Sequence, residues 1–257
     1  MTKNWSIKKL KEIKFKSPLM IEGLPGMGNV GKIAVDFMIE SLNAEKIFEI
    51  SSSDFPSCVF VNESGIAELP KVEIYFKKHK NNDLFIISGD VQPPENKGCY
   101  EFCENLLNLF VQCGGKQIIT LGGIGLEEMP RKPSVYCTGT DKKEINDCRK
   151  YGAKSAVGVV GPIIGVSGLL IGLAKERKMK GTSLLVETYG HPTYLGIKEA
   201  RELLKILNLK LNIGINIKLL DKEVKEIEKE IKDKLEKIVS LQDDKFTSPN
   251  EHMNYIG

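Results

Sequence analysis

Five short, mostly apolar runs, separated by stretches of helical period, constrain this chain more than any other feature. The runs are Leu19–Glu22, Lys46–Ile50, Leu84–Ile87, Gln117–Leu121 and Ser183–Val186, each bounded by turn residues. Runs of that length and character suit strands buried on both faces, as in a parallel sheet covered by helices. Helical periodicity follows them over Asn29–Leu42, Lys97–Val111, Lys142–Lys150, Val166–Lys178 and Ile197–Leu207. Strand–helix alternation at this spacing predicts right-handed βαβ units and an α/β fold with a doubly wound, mostly parallel sheet. With 257 residues, 41% of them hydrophobic, the chain can bury one large core.

Two segments depart from the alternation. "CVFVNESGIAELPKVEIYFKK" carries β-rich runs on either side of Glu63, Ser64 and Gly65, with Val72, Ile74 and Phe76 on one face and Lys71, Glu73 and Tyr75 on the other. It predicts an antiparallel hairpin or meander inserted between parallel strands. After Leu220, Val224, Ile227, Ile231, Leu235, Ile238 and Leu241 recur every three or four residues among alternating glutamates and lysines. Asp221 is a fitting N-cap for this charged helix, whose apolar stripe must pack on its own domain or on another subunit. The expected division is therefore an α/β domain over 1–220, an amphipathic helix over 221–241 and a flexible polar tail over 242–257 that ends on Met253, Tyr255, Ile256 and Gly257.

Composition removes several function classes. The net charge is +3, from lysines spread along the chain rather than clustered, which gives no electrostatic footprint for nucleic acid. No stretch has the roughly 18 uninterrupted apolar residues of a membrane span. The N-terminal "MTKNWSIKKLKEIKF" lacks the apolar core of a signal peptide. Six cysteines in ordinary hydrophobic surroundings read as reduced thiols of a cytoplasmic protein. They contain no C-x-x-C, and the three histidines do not cluster with them, so neither metal nor cofactor is expected.

"GMGNVGK" is the one segment with a ligand-binding look. Gly26, Gly28 and Gly31 fit G-x-G-x-x-G, while Gly26, Gly31 and Lys32 fit most of a Walker A loop. The hydroxyl residue that would follow the lysine and hold Mg²⁺ is replaced by Ile33, so nucleotide hydrolysis is not expected. A dinucleotide site would want an acid near the end of the next strand, and Glu49 lies twenty-one residues after Gly28. The plainer reading is a tight strand–helix turn that needs glycine for close backbone approach. Glycine-rich loops at Gly122–Gly125 and Gly165–Gly168 stand where open α/β sheets commonly bind ligands. A nucleoside- or nucleotide-binding enzyme built from these loops is thus the alternative to a binding protein. Ser167 is no nucleophile elbow, since Leu169 stands where G-x-S-x-G needs glycine. Glu187 and His191 are too isolated to assemble a catalytic set.

Taken in order, "GLPGMGNVGKIA", "TLGGIG…PRKPSVYCTGTD" and "GPIIGVSGLLIGLAKERKMKGTSLLVETYGHP" resemble the family of the second proteasome assembly chaperone, and its archaeal members in particular. The resemblance runs from about Pro18 to Leu241. It implies a nucleoside phosphorylase-like scaffold, no enzymatic activity, a homo-oligomer, and binding to proteasome α subunits or a related chaperone. Some archaeal members dock through a C-terminal hydrophobic–Tyr–any tripeptide. Here Tyr255 is third from the end and Asn254 precedes it, a departure from that pattern.

Overall fold

The computed structural model describes residues 4–219. The expected helix at 221–241 and the tail residues Met253, Tyr255, Ile256 and Gly257 lie outside the described residues. The chain divides into two units, Met1–Asn216 and Ile217–Gly257. In the second, residues 217–219 are described and are helical.

The first unit is built on a nine-stranded mixed sheet. Its strands are β1 (Trp5–Lys9), β2 (Leu19–Glu22), β3 (Glu45–Ser52), β6 (Val72–Lys77), β7 (Leu84–Gly89), β8 (Gln117–Leu126), β9 (Val135–Gly139), β10 (Lys154–Ser155) and β11 (Lys180–Tyr189). Two further strands, β4 (Phe60–Val61) and β5 (Ala67–Glu68), pair only with each other. The order in the large sheet is β1-β3-β6-β7-β2-β8-β11-β9-β10. Parallel ladders join β7 to β2, β2 to β8 and β8 to β11 at its centre. Antiparallel ladders join β1 to β3, β3 to β6, β6 to β7 and β11 to β9, while β9 and β10 are parallel to each other. The five strands legible as apolar runs therefore all point one way, and β1, β6, β9 and β10 point the other.

Around Glu63–Gly65 the β-rich stretch splits. Asn62 Oδ1 accepts hydrogen bonds from the N–H groups of Ser64 and Ile66 at 3.0 Å each, which closes the β4–β5 ribbon. Beyond it, β6 enters the large sheet between β3 and β7 with Val72 and Ile74 fully buried.

Five α-helices cover the sheet: α1 (Val30–Leu42), α2 (Asn96–Gln112), α3 (Lys142–Arg149), α4 (Val166–Glu176) and α5 (Ile197–Leu211). Helix α1 packs beside α5, and α2 beside α4. The strand residues Met20, Phe85, Ile87 and Ile118 share a core cluster with Phe102, Leu106 and Phe110 of α2 and Val166 and Leu170 of α4. The alternate residues Ile21, Ile86 and Ile119 are fully buried too, so both faces of the sheet are covered. Burial of each such side chain contributes about 1.5–3 kcal/mol. Local chemistry sets the helix ends. Asp141 caps α3 by accepting from Lys143 N and Glu144 N at 2.7 and 3.0 Å, and Asn43 ends α1 in a left-handed conformation with φ 48°.

Candidate functional site

The site is created where one strand outruns its neighbour. The β2–β8 ladder stops at Glu22 opposite Thr120, but β8 and β11 continue together to Leu126 and Tyr189. Past the end of β2 the chain turns through a single 3₁₀ turn, Met27–Asn29, into α1. Between that turn and the free flank of β8 lies a cleft of about 370 Å³. Gly26 and Met27, Gly122–Gly125 and Ser167 line it, together with the segment Val160–Ile164 that leads into α4. The three glycine loops singled out in the sequence thus meet at the carboxyl ends of the central parallel strands, the usual ligand position in such sheets.

Within the first loop Gly28 and Gly31 serve packing, while Gly26 borders the cleft. Gly28 has φ +62°, and a Cβ there would sit 2.5 Å from Thr188 Oγ1. A Cβ on Gly31 would lie 2.5 Å from the Leu121 carbonyl oxygen, so the first turn of α1 rests directly on the backbone of β8. Lys32 is outside the cleft lining and pairs with Asp36, one helical turn on, at 2.8 Å. The ribose-binding role considered for Glu49 fails for a topological reason. Strands β6 and β7 stand between β3 and β2, and Glu49 lies opposite Lys8 and Glu73, far from the glycine turn.

Polar chemistry at the cleft floor comes from Glu22 and Gln92, which sequence reasoning missed, and from Ser167, which it weighed only as a nucleophile. Glu22, the last residue of β2, is fully buried. One of its oxygens accepts from Leu24 N at 3.0 Å and the other from the Ser167 hydroxyl at 2.9 Å. Burial pushes its carboxyl up to about 7, against the opposing pull of those two hydrogen bonds. Ser167 reaches it from the first turn of α4 and also faces the cleft. Gln92 clasps the same corner, donating to the Pro25 carbonyl at 2.7 Å and accepting from Val166 N at 3.1 Å. The only sequence signal for Glu22 was a carboxylate at the end of an otherwise apolar central run.

Other candidates are engaged elsewhere. Glu187 accepts from Ser134 N at 2.8 Å and Tyr136 Oη at 3.0 Å. His191 interacts through Nδ1 with Thr193 Oγ1 at 2.9 Å and stacks on Tyr189. Cys99 and Cys103 share a buried face of α2, and the Cys103 thiol is directed to the Val166 carbonyl at 4.0 Å. Among the described residues, no three His, Cys, Asp or Glu side chains are placed to hold a metal ion. Nor is any helix there long and apolar enough to cross a membrane.

Comparison with known proteins places this architecture. Pyrococcus furiosus PbaB, an archaeal proteasome activator, superposes with a TM-score of 0.83 at 32% identity, covering 91% of this chain and 100% of that one. Pyrococcus furiosus PbaA, an archaeal homolog of proteasome-assembly chaperone, superposes at 0.79 with 26% identity, covering 94% and 96%. The uncharacterized protein MJ1210 of Methanocaldococcus jannaschii is 27% identical over 257 residues, 97% of this chain and 96% of its own. The model of the PAC2 family matches residues 20–235, the greater part of the sequence, and the chain belongs to that family.

Proposed function

We propose that this protein is a non-enzymatic proteasome assembly chaperone or adaptor. In this reading it works in the cytoplasm as a homo-oligomer and binds proteasome α subunits, or a related chaperone, through protein–protein contacts. The observation that carries the reading is the likeness to PbaB, which at 32% identity extends over the whole of that chain. A second feature supports it. Val59, Val61, Ile66 and Leu69 in and around the β4–β5 ribbon are 55–74% exposed, apolar side chains open to a protein partner. The engagement of Glu187 and His191 in separate structural bonds is consistent with a binding role rather than a catalytic one. The tail residues Met253, Tyr255, Ile256 and Gly257 complete the proposal as a docking tip. An aromatic anchor such as Tyr255 commonly costs about 2 kcal/mol or more of binding when truncated. Sedimentation velocity of the full chain with cognate α subunits tests the contact. A co-sedimenting complex that weakens on deleting residues 253–257 supports both parts. Independent sedimentation at micromolar concentration contradicts the first, and an unchanged complex contradicts the second.

The convergence of three glycine loops on one cleft favours a second reading, a nucleoside- or nucleotide-binding site on a nucleoside phosphorylase-like scaffold, with the Gly26–Lys32 loop as its ligand loop, of which Gly26 and Gly31 line the cleft and Gly28 and Lys32 do not. A ligand at a hundred times its dissociation constant stabilises the fold by about 2.7 kcal/mol. Thermal shift against nucleosides and nucleotides therefore separates the readings.

A further inference from the structure

We infer that the cleft between the Gly26–Asn29 turn and the free flank of β8 takes an uncharged, largely apolar small molecule with hydrogen-bonding groups along one edge, and that it does not take a phosphate. This rests on the second reading above only in treating the cleft as a ligand site, and it narrows the ligand class.

Four observations carry it. The volume, about 370 Å³, falls in the roughly 300–1,000 Å³ range of small-molecule sites. The walls are apolar, with Leu24, Met27, Ile124, Ile163 and Leu185 among them. One side offers backbone. Past Thr120 the edge of β8 that faces β2 has no strand partner among the described residues; the Leu121 carbonyl accepts from the Ser167 hydroxyl at 3.5 Å, and Gly122–Gly125 line the cleft beyond it. Such an edge can exchange hydrogen bonds with a planar ligand. The Ser167 hydroxyl adds a side-chain group at the floor.

The argument against an anion concerns charge. Among the described residues no Lys, Arg or His lines the cleft, and the loop's own lysine is turned to Asp36. Beneath the floor sits Glu22, bonded to Ser167. As a carboxylate it repels an anion, and as an acid it already shares its hydrogen-bonding capacity with Ser167 and Leu24. A phosphate buried here would lose its hydration without a cation to replace it. Two of the three glycines in the pattern that suggests a phosphate cradle are accounted for by packing, Gly28 against Thr188 and Gly31 against Leu121, while Gly26 borders the cleft.

The test uses two probes of matched shape and different charge, benzamide and benzoate, with AMP as the anionic nucleotide. Each is titrated into the nitrogen-labelled full chain while backbone amide shifts are followed. Benzamide at millimolar concentration is expected to move the amides of Gly122–Gly125 and Ser167 saturably, with benzoate and AMP weaker by about tenfold or more. Ser167→Ala is expected to weaken benzamide by about three- to tenfold. Binding of AMP or benzoate in the cleft as tight as that of benzamide overturns the proposal and leaves the nucleotide reading standing. No shifts there with any probe, or shifts confined to other surfaces, overturn both. The probe comparison is made on the unaltered chain, so misfolding of the variant does not decide the outcome.

Discussion

Glu22→Gln isolates the energetic cost of a buried carboxylate at the end of the central strand. In the folded chain Glu22 titrates at about 7, compared with an ordinary value of 4.5, because burial penalises the charged form. Between those two values the folded state holds a proton that the unfolded state has released. Stability therefore falls as pH rises from about 4.5 to about 7 and levels off above. At about 1.4 kcal/mol for each pH unit, the gap amounts to about 3 kcal/mol. The glutamine side chain stays neutral throughout. Its carbonyl can take the Leu24 N–H, and its amide can donate to the Ser167 hydroxyl in place of the bond it now accepts. Urea unfolding of both proteins across this pH range should give similar stabilities at the acid end, with the variant gaining up to about 3 kcal/mol over wild type near pH 8. A stability difference that stays constant with pH would refute the claim that Glu22 is strained by burial.

Three further substitutions probe the same corner. Gly31→Ala puts a Cβ 2.5 Å from the Leu121 carbonyl, so α1 must shift, and urea unfolding should register a loss of about 1–3 kcal/mol. Gln92→Ala removes the clasp between Pro25 and Val166 and should cost about 1–3 kcal/mol, with faster amide hydrogen exchange at Val166. Lys32→Ala removes only a half-exposed pair with Asp36, so thermal unfolding should show a change below about 1 kcal/mol, and proteasome-subunit binding should be unaffected.

Particular residues show how far the sequence alone could go. Strand β2 was legible to its exact ends, and α1 to α5 to within a few residues, because apolar runs and the 3.6-residue period follow directly from what those elements bury. Strand β1 was missed because only Trp5 of its five residues is buried, and the rest of this edge strand reads as a lysine-rich terminus. The second half of β8 was missed because Gly122, Gly123 and Gly125 look like a loop, although β11 pairs with every one of them. That β3 lies next to β1 and β6 rather than β2 depends on pairings that no local pattern encodes. At the site, each glycine loop was visible by itself. Their meeting in one cleft, and the bond from Ser167 to Glu22 across 145 positions of sequence, are products of the fold.

The central claim is that this PAC2-family chain acts on the proteasome by contact. The most direct measurement is a native-gel time course of core-particle assembly from purified cognate α and β subunits, run with and without the full chain. The account predicts that the chain enters a complex with α subunits or the α ring and changes the rate at which mature particles appear. An unchanged time course, with the chain migrating apart from every α-containing species, would contradict it.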